Sequence, residues 1–83
     1  MKEFIEYIAK NLVDKPEAVR VEEIQQDDRT IKIILQVEDN ETGKVIGKMG
    51  KTAKAIRTLL AAVAAKHGKR AYMEIPDKMR KEN

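Results

Sequence analysis

Two glycines three residues apart, Gly47 and Gly50, separate two helical segments and constrain the fold of this chain more than any other feature. Glycine has no Cβ atom, so the backbone can turn sharply there and come close to another molecule. A longer helix follows the second glycine, and its free N–H groups and positive dipole end are expected at the turn. Lys48 lies in the loop, and Lys51 and Lys54 follow in the first helical turn. The pattern predicts an anion-binding turn between two helices.

The spacing of apolar residues predicts the element order α-β-β-α-α-β. Helical periodicity and strand alternation are distinct along the chain, and the clearest strand carries Ile31, Ile33 and Leu35 on one face. The first two strands are expected to form a hairpin. The predicted elements are helices over 3–13, 42–46 and 51–66 and strands over 18–25, 30–37 and 70–75.

Residues that end helices or favour turns separate these elements. Pro16 is expected to end the first helix, because the residue before a proline disfavours helical torsions. Residues 26–29 are predicted to form the hairpin turn, and residues 38–41 a polar loop. Gly68 is suited to the left-handed cap that ends the long helix.

Length and composition predict one small domain. The chain has 83 residues, 42% of them hydrophobic, which suffices for a modest core. Residues 1–76 are expected to form the domain, and residues 77–83 a flexible C-terminal tail. The sequence contains no apolar run long enough to span a bilayer and no cysteine, so we expect a cytoplasmic protein with no membrane contact.

The net charge of +3 conceals a strong asymmetry along the chain. Residues 1–41 hold six Lys/Arg and eleven Asp/Glu, a net of −5, whereas residues 42–73 hold eight Lys/Arg and no acidic residue, a net of +8. A basic stretch around a glycine turn favours a polyanionic ligand such as nucleic acid. A solvated basic face is the plainer alternative.

A nucleotide-binding P-loop is the competing interpretation of the glycine segment. Gly50-Lys51-Thr52 resembles the end of the motif G-x-x-x-x-G-K-[ST], but the first glycine would have to stand at position 45, where this chain has Val45. The sequence also shows no paired carboxylates, nucleophile–base pair or metal-ligand cluster. It therefore predicts no catalytic residues, no metal, no cofactor and no enzymatic activity.

The hexapeptide Val45-Ile46-Gly47-Lys48-Met49-Gly50 matches the V-I-G-x-x-G signature of KH domains at each defined position. With the element order around it, the whole chain resembles the small bacterial single-KH proteins of the KhpA (YlqC) family. The resemblance implies an α+β fold, the type II KH arrangement αββααβ, in which three helices pack on one face of a three-stranded sheet.

The resemblance also implies a function and a site. KH domains hold about four nucleotides of single-stranded RNA at the GxxG loop, so we expect an RNA-binding protein that acts in post-transcriptional control or as an RNA chaperone, with a role in cell growth or division. One wall of the groove would come from Ile46 and the helix, and the other from strand 70–75. The expected RNA-binding residues are Ile46, Gly47, Lys48, Met49, Gly50, Lys51, Lys54, Arg57 and Arg70.

A second surface is expected on the long helix. Ala55, Leu59 and Ala62 recur on a flank separate from the core stripe, and small residues allow close approach of a partner. The same flank could instead be covered within the chain. Resemblance to the KhpA family implies a homodimer or a heterodimer with a KhpB (Jag)-type KH protein. An adaptor with a vestigial RNA groove is the alternative function.

Overall fold

The computed structural model describes residues 1–76, so the expected tail over 77–83 lies outside the described residues. The order of elements is the one predicted from the sequence. Three short 3₁₀ turns, Pro16–Ala18, Asp39–Glu41 and Lys48–Gly50, lie between them. The helices and strands are α1 (Lys2–Lys10), β1 (Arg20–Gln25), β2 (Thr30–Gln36), α2 (Thr42–Ile46), α3 (Lys51–Lys66) and β3 (Arg70–Glu74).

The sheet has three strands in the order β1-β2-β3, with a mixed arrangement. Strands β1 and β2 form the predicted antiparallel hairpin, in which Val21 pairs with Leu35. Strand β3 pairs parallel to β2, so that Thr30 lies opposite Arg70. The parallel pairing requires a crossover, and α2 and α3 supply it. This mixed sheet with its helices is the expected α+β arrangement of a type II KH domain.

The helices pack on one face of the sheet. Ile33 and Leu35 of β2, Ile5 of α1, Val45 of α2 and Leu60 of α3 are fully buried in one cluster. Because side chains alternate along a strand, residues such as Lys32, Arg70 and Tyr72 lie on the opposite face, which no helix of the described part covers.

The first helix is shorter than predicted and ends at Lys10 instead of residue 13. The side-chain amide of Asn11 donates a hydrogen bond to the carbonyl oxygen of Tyr7 at 2.8 Å and caps the last turn. The chain then leaves the helical path and Val13 enters the core. The proline that was expected to end the helix instead begins the 3₁₀ turn over Pro16–Ala18.

The segment 38–41 was predicted to be a polar loop, and this prediction is wrong for Glu41. Its side chain is buried, with a residue exposure of 5%. The carboxylate accepts hydrogen bonds from the backbone N–H groups of Asp14 (2.7 Å) and Lys15 (3.1 Å). Glu41 therefore ties the segment after α1 to the start of α2.

No helix within residues 1–76 has the length and apolar character needed to cross a membrane.

Candidate nucleic-acid interface

The loop between α2 and α3 has a backbone conformation that depends on its two glycines. Gly47 has φ 80° and ψ 173°, and Gly50 has φ 74° and ψ 11°. Only glycine adopts the first of these readily, whereas the second is the left-handed region, which Asn and Asp also tolerate. Met49 is the one non-glycine residue with positive φ (57°) among the described residues, and it is 89% exposed at the loop apex. The loop is a sharp turn that presents its apex to solvent.

The loop closes on itself through its own backbone. The N–H group of Gly47 donates to the carbonyl oxygen of Gly43 (2.8 Å), and the N–H group of Gly50 donates to that of Gly47 (3.1 Å). The N–H group of Lys51 also bonds to the carbonyl oxygen of Lys48. The expectation that an anion meets free amides at the helix start therefore does not hold for Gly50 and Lys51. These bonds instead fix the shape of the turn, which leaves more of the attraction to side-chain cations.

The predicted cations of the loop region are on the surface. Lys48, Lys51 and Lys54 are all exposed, and Ile46 beside them is half-buried. Three of the four loop positions have φ > 0, and Lys48 and Met49 are both exposed to solvent. Three exposed lysines therefore lie in the turn or in the first residues of α3, an arrangement that attracts a phosphate backbone.

Arg57 joins α3 to β3. Its Nε donates a hydrogen bond to the carbonyl oxygen of Met73 at 3.3 Å. This strand is one of the two edge strands of the sheet within the described residues, and an edge strand offers backbone donors and acceptors to a ligand. Arg57 thus lies where the two predicted walls of the groove meet.

The structure does not bring Arg70 together with the loop. Arg70 opens β3, immediately after the turn that follows α3, whereas the glycine loop precedes α3. A helix of 16 residues is about 24 Å long, so the two sites lie near opposite ends of α3. Arg70 also points to the sheet face away from the helices, in register with Thr30.

A polar cluster formed by Lys44 of α2 with Asp14 and Glu41 was not predicted from the sequence. The Nζ atom of Lys44 lies 2.7 Å from a carboxylate oxygen of Asp14 and 3.8 Å from one of the buried Glu41. The hydrogen bond to Asp14 raises the pKa of Lys44 above its ordinary value. Lys44 is therefore neutralised by its neighbours and adds little to the field around the loop. The sequence offered no signal for the pairing of Lys44 with Asp14, because the two residues are 30 positions apart.

The expected partner surface on α3 is open to solvent. Ala55 and Ala62 are exposed, and Leu59 between them is 51% exposed. The helix buries the other stripe, which includes Ile56 and Leu60. Neither α1 nor the sheet covers this flank, so the alternative that the chain buries it internally is ruled out for the described residues.

Within residues 1–76, no group of three or more His, Cys, Asp or Glu side chains is placed to hold a metal ion.

Comparison with known proteins agrees with the resemblance of the glycine motif to KH domains. The family model for the KhpA/KhpB KH domain matches residues 2–75. The chain is 53% identical to RNA-binding protein KhpA of Chlamydia pneumoniae over 75 residues, which cover 90% of this chain and 95% of the relative. It is 51% identical to RNA-binding protein KhpA of Clostridium perfringens, with 90% and 99% covered, and 48% identical to that of Aquifex aeolicus, with 90% and 94% covered.

Proposed function

Because the chain belongs to the KhpA/KhpB family of KH domains, we propose that it binds single-stranded RNA at the loop Gly47–Gly50 and the first turns of α3. The family consists of RNA-binding KH proteins, and the chain is not an enzyme. The observation that carries the proposal is the conformation of the loop. Its two glycines have positive φ, and Lys48 and Met49 project into solvent between them.

The RNA backbone is held from the side of the loop. Phosphate oxygens meet the ammonium groups of Lys48 and Lys51, and Lys54 adds a third positive charge one turn further along α3. The turn itself has little freedom to lose on binding, because the loop's own hydrogen bonds hold it. The bound strand therefore meets a preorganised surface, which lowers the entropic cost of association.

The bases lie along the groove between α3 and β3. Ile46 supplies apolar contact at the loop end, and Arg57 holds the carbonyl of Met73 on the strand. The edge of β3 offers backbone polar groups to base edges. A groove with so little aromatic surface favours weak binding and loose sequence preference, compared with domains that stack bases on aromatic platforms.

The cellular role that fits this site is post-transcriptional regulation or RNA chaperoning in the cytoplasm. One KH domain holds only about four nucleotides, so a single copy has little affinity. We propose that two copies associate through Ala55, Leu59 and Ala62, or that one copy pairs with a KhpB-type KH protein. Two linked grooves raise the affinity for one strand without any new contact.

An adaptor function is the second candidate, and the exposed flank of α3 favours it. An aliphatic side chain that is 51% exposed between two exposed alanines fits a protein partner with no need for RNA. In that case the chain pairs with a partner whether or not the loop contacts RNA.

Removal of loop charges tests the proposal. Fluorescence anisotropy with a labelled single-stranded RNA compares the wild type with the double variant Lys48→Gln/Lys51→Gln. The matched control, Lys2→Gln/Lys10→Gln, removes the same charge from α1. We expect the loop variant to bind about tenfold more weakly or worse, and the dependence of log K on log salt to fall by about 0.7 per lost phosphate contact.

Equal weakening by the two double variants contradicts the site, because only the total charge then matters. If neither the wild type nor the variants bind RNA, and a protein partner is still captured through Leu59, the result favours the adaptor function. Circular dichroism of each variant verifies that the fold is kept.

A further inference from the structure

A second cationic depression lies at the far end of α3 from the glycine loop. The turn of the β1–β2 hairpin and the connection from α3 to β3 meet there and border an open depression of about 680 Å³. Volumes of this size are typical of ligand pockets, although this one is open to solvent. Its lining residues are Asp27, Asp28, Arg29, Thr30, Gly68, Lys69 and Arg70.

The two turns that form the depression are fastened to each other. The N–H group of Arg70 donates to the carbonyl oxygen of Arg29 at 2.7 Å, and the Nζ atom of Lys69 lies 3.1 Å from the carbonyl oxygen of Asp28. The Asp27 carboxylate closes the hairpin turn by accepting from the N–H groups of Arg29 (2.9 Å) and Thr30 (2.8 Å). The backbone positions of Arg29 and Arg70 and the ammonium group of Lys69 are therefore held around one space before any ligand arrives.

The charge of the depression suits a phosphodiester. Arg29, Lys69 and Arg70 contribute three positive charges and Asp27 and Asp28 two negative ones, a net of +1. A phosphodiester carries a single negative charge, so one phosphodiester neutralises the net charge of the depression.

An exposed aromatic ring adjoins these cations. Tyr72 follows Arg70 by two residues on β3, so both side chains lie on the sheet face without helices. The ring is 47% exposed, and its hydroxyl group bonds to the side chain of Gln26 in the hairpin turn. An exposed ring beside a cation pair accommodates a stacked base as well as its phosphate.

We propose that this depression, with Tyr72, is a second RNA contact that holds a phosphodiester and its base as the strand leaves the groove between α3 and β3. The proposal rests on the proposed function. Both walls of the groove end at this point, because α3 finishes at Lys66 and β3 begins at Arg70. The RNA footprint of one chain therefore exceeds that of the glycine loop alone.

Strand length separates the two contacts experimentally. Affinities are measured for a single-stranded RNA of about five nucleotides, close to what one KH groove holds, and for one of about twelve nucleotides. The pocket variant is Arg29→Gln/Arg70→Gln, and Lys2→Gln/Lys10→Gln removes equal charge from α1, away from the depression. Lys69→Gln and Tyr72→Leu provide independent variants should the double variant lose its fold.

We expect the wild type to prefer the longer strand, and the pocket variant to lose that preference by about fivefold or more while it binds the short strand normally. Tyr72→Leu should reduce the same preference, and the control should keep it.

A pocket variant that retains the full preference overturns the second contact, as does a wild type without any preference. If Lys48→Gln/Lys51→Gln still loses both strands, the proposed function stands without the second contact. A wild type that binds neither strand refutes both.

Discussion

Gly47 and Thr52 lie so close together that no side chain fits at position 47. A Cβ atom built on Gly47 would lie 2.2 Å from Oγ1, 2.6 Å from Cβ and 2.9 Å from the backbone nitrogen of Thr52. A Cβ atom built on Gly50 would meet nothing within 4 Å. The two glycines of the loop thus have different structural roles. Gly47 permits close packing of the loop on α3, whereas Gly50 adopts a left-handed conformation at a position where a side chain would have room.

Alanine at the two positions should therefore have unequal effects on stability. Gly47→Ala combines a forbidden backbone conformation with a steric clash, and we expect it to cost about 2–4 kcal/mol. Gly50→Ala carries only the left-handed penalty of about 1–2 kcal/mol. Urea denaturation measures both.

Combining Thr52→Ala with Gly47→Ala tests which atoms of Thr52 clash with a side chain at position 47. Thr52→Ala removes Oγ1 but leaves the Cβ and the backbone nitrogen in place, so the stability of Gly47→Ala should recover only in part. Full recovery in the double variant, or equal losses at the two glycines, contradicts the packing described here.

Truncation of Glu41 should destabilise the fold although the residue lies in a run of acidic surface residues. Glu41→Ala leaves the N–H groups of Asp14 and Lys15 without their carboxylate acceptor, at a cost of about 2–3 kcal/mol. Asp39→Ala removes an exposed carboxylate two residues away and should cost little. Urea denaturation of the pair tests the burial of Glu41, and equal stabilities would contradict it.

Acid should weaken the hairpin turn through Asp27. Hydrogen bonds from the backbone of Arg29 and from Thr30, with the positive charge of Arg70, lower the pKa of Asp27. The ionised carboxylate therefore stabilises the fold above its ordinary pKa of about 3.9, and this contribution disappears as the pH falls through the lowered value.

The isosteric variant Asp27→Asn isolates this effect. It should be less stable than the wild type at neutral pH, and the difference should shrink below about pH 4. Chemical denaturation at a series of pH values tests this, with Asp28→Asn as the neighbouring control. A difference that stays constant down to acid pH excludes the charge of Asp27 as its cause.

Self-association should depend on the exposed flank of α3. Leu59→Gln removes the aliphatic anchor without disturbing the core, because the side chain is half-exposed in the single chain. We expect dimers of the wild type and monomers of the variant in sedimentation equilibrium. Tyr7→Gln alters an even more exposed side chain on α1 (71%) and should leave the dimer intact. If Tyr7→Gln dissociates the dimer and Leu59→Gln does not, the interface lies on α1 and not on α3.

Local signals sufficed for much of the fold. The bounds predicted for the long helix, 51–66, are those of α3, because Gly50 and Gly68 both adopt left-handed conformations at its ends. The strand over 30–37 was equally clear, since Ile31, Ile33 and Leu35 alternate with more exposed residues. In both cases periodicity and terminators agree within a short window of sequence.

Long-range contacts account for what sequence reasoning missed. The burial of Glu41 depends on amides 26 and 27 residues earlier in the chain. Arg70 belongs to the same basic stretch as the loop, yet the length of α3 places it at the other end of the domain. A linear count of charge cannot show which cations share a surface. The contact of Gly47 with Thr52 is likewise invisible in a motif whose two glycines look equivalent.

We propose that the loop Gly47–Gly50 holds the RNA backbone, and Gly50 is the position at which a substitution tests this most directly. Aspartate and asparagine both tolerate its left-handed conformation, and space is available for either side chain. Gly50→Asn adds bulk alone, Gly50→Asp adds the same bulk with a negative charge, and Gly43→Asp places that charge in α2, where there is also room.

The decisive measurement is the affinity of these three variants and the wild type for one single-stranded RNA at fixed salt. We expect Gly50→Asp to lose at least about tenfold in affinity while remaining folded, with smaller losses for Gly50→Asn and Gly43→Asp. Wild-type affinity in a folded Gly50→Asp variant would contradict the proposal.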